Sequence, residues 1–89
     1  MYKIQPYSYK MAKDLGYTIE PSKNPKKKID VYKNGKFKFS IGNFGAGDFP
    51  TYAKHDLEYA LERRRLYHLR HRKDNVIGTR GHASLNILW

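Results

Sequence analysis

The chain has 89 residues and a formal net charge of +10, from 18 Lys and Arg against 8 Asp and Glu. That length leaves room for one core and a single compact basic domain over residues 1–89. The absence of cysteine excludes disulfide staples, thiolate metal sites and thiol nucleophiles together, and suits a reducing compartment. No stretch approaches the roughly 18 apolar residues of a membrane span, and Met1 to Lys10 carries tyrosines where a signal peptide has an apolar run. A soluble, unprocessed chain is therefore expected. So large a cationic excess repels itself unless something anionic neutralises it. Nucleic acid, an acidic protein and an anionic membrane surface all qualify. Hydrophobic residues at 39% and aromatic residues at 15% argue for a packed core and against a disordered basic tail.

In chain order, Ser8 to Leu15 predicts a short helix. Tyr7, Met11 and Leu15 recur every four residues, Ser8 stands where a cap would start it and Gly16 where it would stop. Tyr17 to Glu20 leans towards strand, and Pro21, Ser22, Asn24 and Pro25 then break regular structure. A hairpin follows, Lys28 to Tyr32 and Lys36 to Ile41 flanking Asn34-Gly35. A two-residue loop would set Tyr32 opposite Phe37 and Val31 opposite Lys38, putting the apolar residues of the two strands on different faces. A three-residue loop with Gly35 left-handed in a bulge pairs Val31 with Phe37, Asp30 with Lys38 and Ile29 with Phe39, and is the register expected. Gly42 to Gly47 is a glycine-rich loop, and Asp48, Phe49, Pro50 and Thr51 read as entry to a helix. The longest helix is predicted from about Asp56 to Lys73, its early acids and late cations complementing the helix dipole. Ala83 to Trp89 is a short apolar ending, helical rather than extended. The expected fold is α+β: a β-hairpin, or a three-stranded antiparallel sheet if Tyr17 to Glu20 joins it, packed against one long basic helix with short N- and C-terminal helices.

The acid-free stretch Arg63 to Lys73 is the first candidate for chemistry. Successive helical residues point about 100° apart, so its arginines fan around the axis. Arg63 lies one turn from Tyr59 and Tyr67 and is expected to stack on them with its stem half-buried. Arg64, His68, His71 and Arg72 share a sector suited to phosphate, for which guanidinium offers bidentate donors and a permanent charge. Arg65, Arg70 and Lys73 complete the basic helix. A second candidate is the lysine flank Lys23, Lys26, Lys27 and Lys28 with Lys33, Lys36 and Lys38 on the hairpin, able to follow a phosphate backbone without reading bases or, equally, to protect a strand edge. The tyrosines suit a small core with hydroxyls at its rim better than base stacking. The loop Gly42 to Gly47 lacks the glycine spacing of a nucleotide fingerprint and no Gly-Lys-Ser/Thr follows it, so a tight turn or partner contact is expected there. His68 and His71 lack a third ligand nearby, and no nucleophile and base pair or paired carboxylates stand out. No catalytic residue, metal or cofactor is expected. Ile87, Leu88 and Trp89 would form a lid on the core or a plug into a neighbouring subunit.

Lys28-Ile-Asp-Val-Tyr-Lys-Asn-Gly-Lys36, Phe49-Pro-Thr-Tyr52, Glu62-Arg-Arg-Arg-Leu-Tyr67, Arg70-His-Arg-Lys-Asp74 and the ending Ile87-Leu-Trp89 together resemble a family of small uncharacterised proteins encoded by large double-stranded DNA viruses, including those that infect algae. The likeness spans nearly the whole chain, is most distinctive at the arginines, and weakens from Gly78 to Asn86. It implies a viral source, a shared compact fold, and residence inside the host cell, in cytoplasm or nucleus, and in the virion if packaged; it transfers no catalytic residue. Three roles follow as expectations. One is a non-enzymatic protein binding nucleic acid, DNA before RNA, without sequence specificity. The others are a minor capsid or virion-associated protein docking on acidic capsid surfaces, and an inhibitor of a host nucleic-acid enzyme.

Overall fold

The computed structural model describes residues 2–89. In chain order it holds α1 (Pro6–Asp14), β1 (Thr18–Pro21), β2 (Lys27–Lys33), β3 (Lys36–Asn43), α2 (Phe49–Ala53), α3 (Leu57–Arg70), a 3-10 turn (Arg72–Asp74) and α4 (Arg80–Ile87). The strands form one antiparallel sheet in the order β1-β2-β3, so the fold is α+β and the third strand is present. Pro21 is accommodated because β1 is an edge strand, where a missing N–H leaves no central ladder bond unmade. No helix among the described residues is long and apolar enough to cross a membrane.

The hairpin corrects the expected register. Lys33 pairs with Lys36 and Tyr32 with Phe37 across a two-residue loop, in which Asn34 and Gly35 both take positive φ, 54° and 78°. These are the signs a type I′ turn demands, and its twist matches that of the flanking strands. The ladder then slips by one residue, so that Val31 faces Phe39, Asp30 faces Ser40 and Ile29 faces Ile41. Lys38 is the extra residue. The apolar side chains do reach one face, but through a bulge at Lys38 and not through a longer turn. Ile29, Val31 and Ile41 are buried in the core with Ile19 of β1.

The expectation that the sheet packs on the long helix is also overturned. The helices that lie against the sheet are α1 and α4, whereas α3 packs chiefly on α2. Its sequence explains why: only Ala60 of α3 is buried, and Leu57, Leu61 and Leu69 are exposed, so the leucines form no inward stripe. The helix is also shorter than Asp56 to Lys73. Asp56 caps it, its side chain accepting from the Tyr59 N–H at 3.1 Å, and after Arg70 the chain tightens into the 3-10 turn.

Ser8 is not a cap. Helix α1 starts at Pro6, and Ser8 is fully buried with its Oγ donating to the Ile87 carbonyl at 2.8 Å, which ties α1 to α4. Gly16 does end the helix region, with φ at 81°. At the other end, Thr79 caps α4 by accepting from the His82 N–H. Ile87, Leu88 and Trp89 are buried in this chain's own core. They form the expected lid on that core.

Candidate anion-binding cleft

A cleft of about 360 Å³ opens where five parts of the fold meet. Lys27 and Asn43 come from the open end of the hairpin, Ala46 and Gly47 from the glycine-rich loop, and Tyr52 from α2. Arg63, Tyr67, Arg70 and His71 come from α3 and its end, and Ser84, Leu88 and Trp89 from the C-terminal segment. No Asp or Glu side chain is among these lining residues.

Helical spacing aligns the α3 wall, because residues 63, 67, 70 and 71 are separated by about one or two turns and therefore share a face. Three rings form a stack along it. His71 lies 4.2 Å from Tyr67, and Tyr67 lies 4.3 Å from Trp89 with the planes 7° apart. Tyr52 leans on Trp89 at 6.1 Å, and its hydroxyl end packs so closely on Gly47 that a Cβ there would overlap it. Only glycine lets the loop approach this wall.

The cations of the cleft differ in how far their charge is balanced. Lys28 is buried and donates to Asp48 Oδ2 at 2.7 Å. The same carboxylate accepts from the Tyr2 hydroxyl at 2.7 Å and, through Oδ1, from the Thr51 N–H at 2.9 Å. Burial by itself would raise the Asp48 pKa, but the hydrogen bonds from Lys28, Thr51 and Tyr2 outweigh it and hold the carboxyl below its ordinary value. Tyr2 is pushed the other way, by burial first and then by its bond to the Asp48 carboxylate. His71 Nδ1 is 3.1 Å from Asp74 Oδ2. Lys27 donates to the neutral amide oxygen of Asn43 at 3.1 Å. Lys27, Arg63 and Arg70 form no ion pair among the described residues, and the Arg63 Nε is buried without a hydrogen-bond partner.

The residues expected to bind therefore divide. Lys27, Arg70 and His71 line the cleft, as does Lys28, whose ammonium is engaged by Asp48. Lys26, Arg72 and Lys73 are exposed in neighbouring segments of the chain. Arg65 is exposed but bonded to Glu62 through Nε and Nη2, at 3.2 and 2.8 Å. His68 Nε2 lies 3.0 Å from the Trp89 carbonyl oxygen. Lys36 and Lys38 sit at the far end of β3. Lys36 is seven residues from Asn43, about 23 Å along an extended strand, and shares no surface with the cleft.

Two adjacent arginines exchange their expected parts. Arg64, expected to meet phosphate, lies over the rings of Phe49 and Tyr7 at 4.8 and 6.0 Å. Arg63, expected to stack on tyrosines, enters the cleft. The cause is which side of α3 meets α1 and α2, which periodicity alone does not specify. The signal for Arg63 was present in its i, i+4, i+7 relation to Tyr67 and Arg70. Nothing local announced Asn43, Gly47 or Trp89 as cleft residues, because other elements bring them there.

Searches against protein-family models, curated proteins and solved structures found no match to this chain.

Proposed function

We propose that this protein binds nucleic acid without sequence specificity, as a binding module and not an enzyme. The observation that supports this most is the cleft itself, which Lys27, Arg63 and Arg70 all line with no ion pair among the described residues and no Asp or Glu side chain in the wall. Three uncompensated cations facing one concavity repel one another, and an entering phosphate relieves that repulsion while releasing counterions. Lys26, Arg72 and Lys73, next in sequence to cleft residues Lys27 and His71, are exposed as well. The resemblance to proteins of large DNA viruses makes DNA the first polyanion to examine.

The test is a salt-titrated binding assay against random-sequence duplex DNA, single-stranded DNA and RNA. If about five cations engage phosphates, log K against log salt falls with a slope of roughly −3 to −5. Lys27→Gln with Arg70→Gln lowers the magnitude of the slope by about 1.5, while Lys36→Gln with Lys38→Gln leaves it nearly unchanged. Absence of any complex at low salt refutes the reading.

A further inference from the structure

We infer that the cleft seats the phosphorylated end of an unpaired strand, a terminal phosphate lying among Lys27, Arg63 and Arg70. This deepens the nucleic-acid reading and rests on it. Shape is the first argument. A concavity of about 360 Å³ is of the size that encloses a small ligand, so one nucleotide enters it, whereas a duplex can only lie across its mouth. Cations that served a duplex backbone would stand on a convex or open face; here Arg63 belongs to the wall of a recess. Only a group narrow enough to enter that recess meets its guanidinium.

Charge is the second argument. A backbone phosphodiester carries a single negative charge, whereas a terminal phosphate carries about −1.5 to −2 at neutral pH and three strong acceptor oxygens. Two guanidinium groups and one ammonium, without carboxylate partners, match the terminal group better. The third argument is the apolar wall. Tyr52, Tyr67 and Trp89 line the same recess, offering the sugar of that nucleotide apolar ring edges that make no demand on base identity.

Trp89 is the only tryptophan and sits in the cleft wall, so its emission reports occupancy directly. Oligothymidylate is titrated with a terminal phosphate and with a terminal hydroxyl, beside a blunt duplex bearing the same phosphate, thymidine monophosphate and inorganic phosphate. The phosphorylated single strand is expected to bind about tenfold tighter than its hydroxyl counterpart and than the blunt duplex. Arg70→Gln, at an exposed position that does not threaten folding, and Arg63→Gln, checked by circular dichroism, both erase that preference. Lys36→Gln keeps it. Equal binding of all strands irrespective of their ends overturns this inference and leaves the nucleic-acid reading standing. Inorganic phosphate competing as well as the strand overturns the strand component of the site. Failure of every nucleic acid to bind at low salt removes both readings together.

Discussion

The indole of Trp89 lies flat on the phenol of Tyr67, ring centroids 4.3 Å apart and planes 7° from parallel. The contact joins the last residue of the chain to the last turn of α3, and it forms part of the cleft wall. Trp89 is only 7% exposed, so Trp89→Ala removes a large buried ring and leaves a void that its neighbours fill incompletely. The expected loss is about 3 to 5 kcal/mol, read by urea unfolding followed with far-ultraviolet circular dichroism. A loss under about 1 kcal/mol would mean the lid is dispensable.

The buried pair of Lys28 and Asp48 predicts an asymmetry between single and double variants. Lys28→Ala leaves the Asp48 carboxylate buried without its cation and is expected to cost about 3 to 5 kcal/mol. Lys28→Met combined with Asp48→Asn removes both charges, and Asn can still cap α2. The double variant is expected to lie closer to the parent than Lys28→Ala does. Equilibrium unfolding of the variants gives the coupling.

Two carboxyls make the fold acid-sensitive. Asp48 is held below its ordinary value of 3.8 for the reasons above. For Asp30, burial pulls upward, but the Ser22 and Ser40 hydroxyls, each donating at 2.6 Å, and the Lys23 N–H prevail. With folded values depressed, the unfolded chain binds more protons in the window between the two sets of values. The stabilisation is therefore complete above the unfolded value near 3.8 and drains away as pH falls through it towards the folded values. Unfolding free energy measured from pH 6 down to pH 2 is expected to fall mainly below about pH 4.5. Asp30→Asn should flatten part of that slope; an unchanged profile would show that Asp30 does not contribute.

The hairpin offers a test of register. Gly35→Ala forces a side chain into φ of 78° and is expected to cost about 1 to 2 kcal/mol. Deleting Lys38 removes only the unpaired bulge residue and leaves Val31 opposite Phe39, so the change is expected to stay within about 1 kcal/mol. Deleting Phe39 instead leaves the same register but sets Lys38 opposite Val31 in place of a ring packed on the core, and is expected to cost about 2 to 4 kcal/mol. Thermal melts of the three variants rank these effects.

Local chemistry made much of the fold legible. Asn34-Gly35 announced a hairpin, Gly16 the end of α1, and Asp48-Phe49-Pro50 the start of α2, because turns and helix ends depend on a few residues and their own backbones. The bulge was misplaced for a physical reason. Two arrangements, a bulge at Gly35 or one at Lys38, both bring Val31 and a phenylalanine to one face, and periodicity does not separate them. The candidate site was legible in its cations and not in its shape. Arg70, His71 and Lys27 were named from sequence and line the cleft, whereas Arg64 and Arg63 exchanged parts and Lys28 became half of a buried pair.

Sequence by itself determined the cationic excess, the order of helices and strands, and the residue types available for holding phosphate, since each depends on composition or on neighbours a few positions away. Tertiary structure alone decided that α1 and α4, and not α3, cover the sheet. It also decided that Asn43, Gly47 and Trp89 come to stand beside Arg63. The physical reason is that α3 exposes three leucines and buries only an alanine, so which of its sides faces inward is set by the rings and backbone of distant segments packing against it, and those contacts leave no periodic trace in the chain.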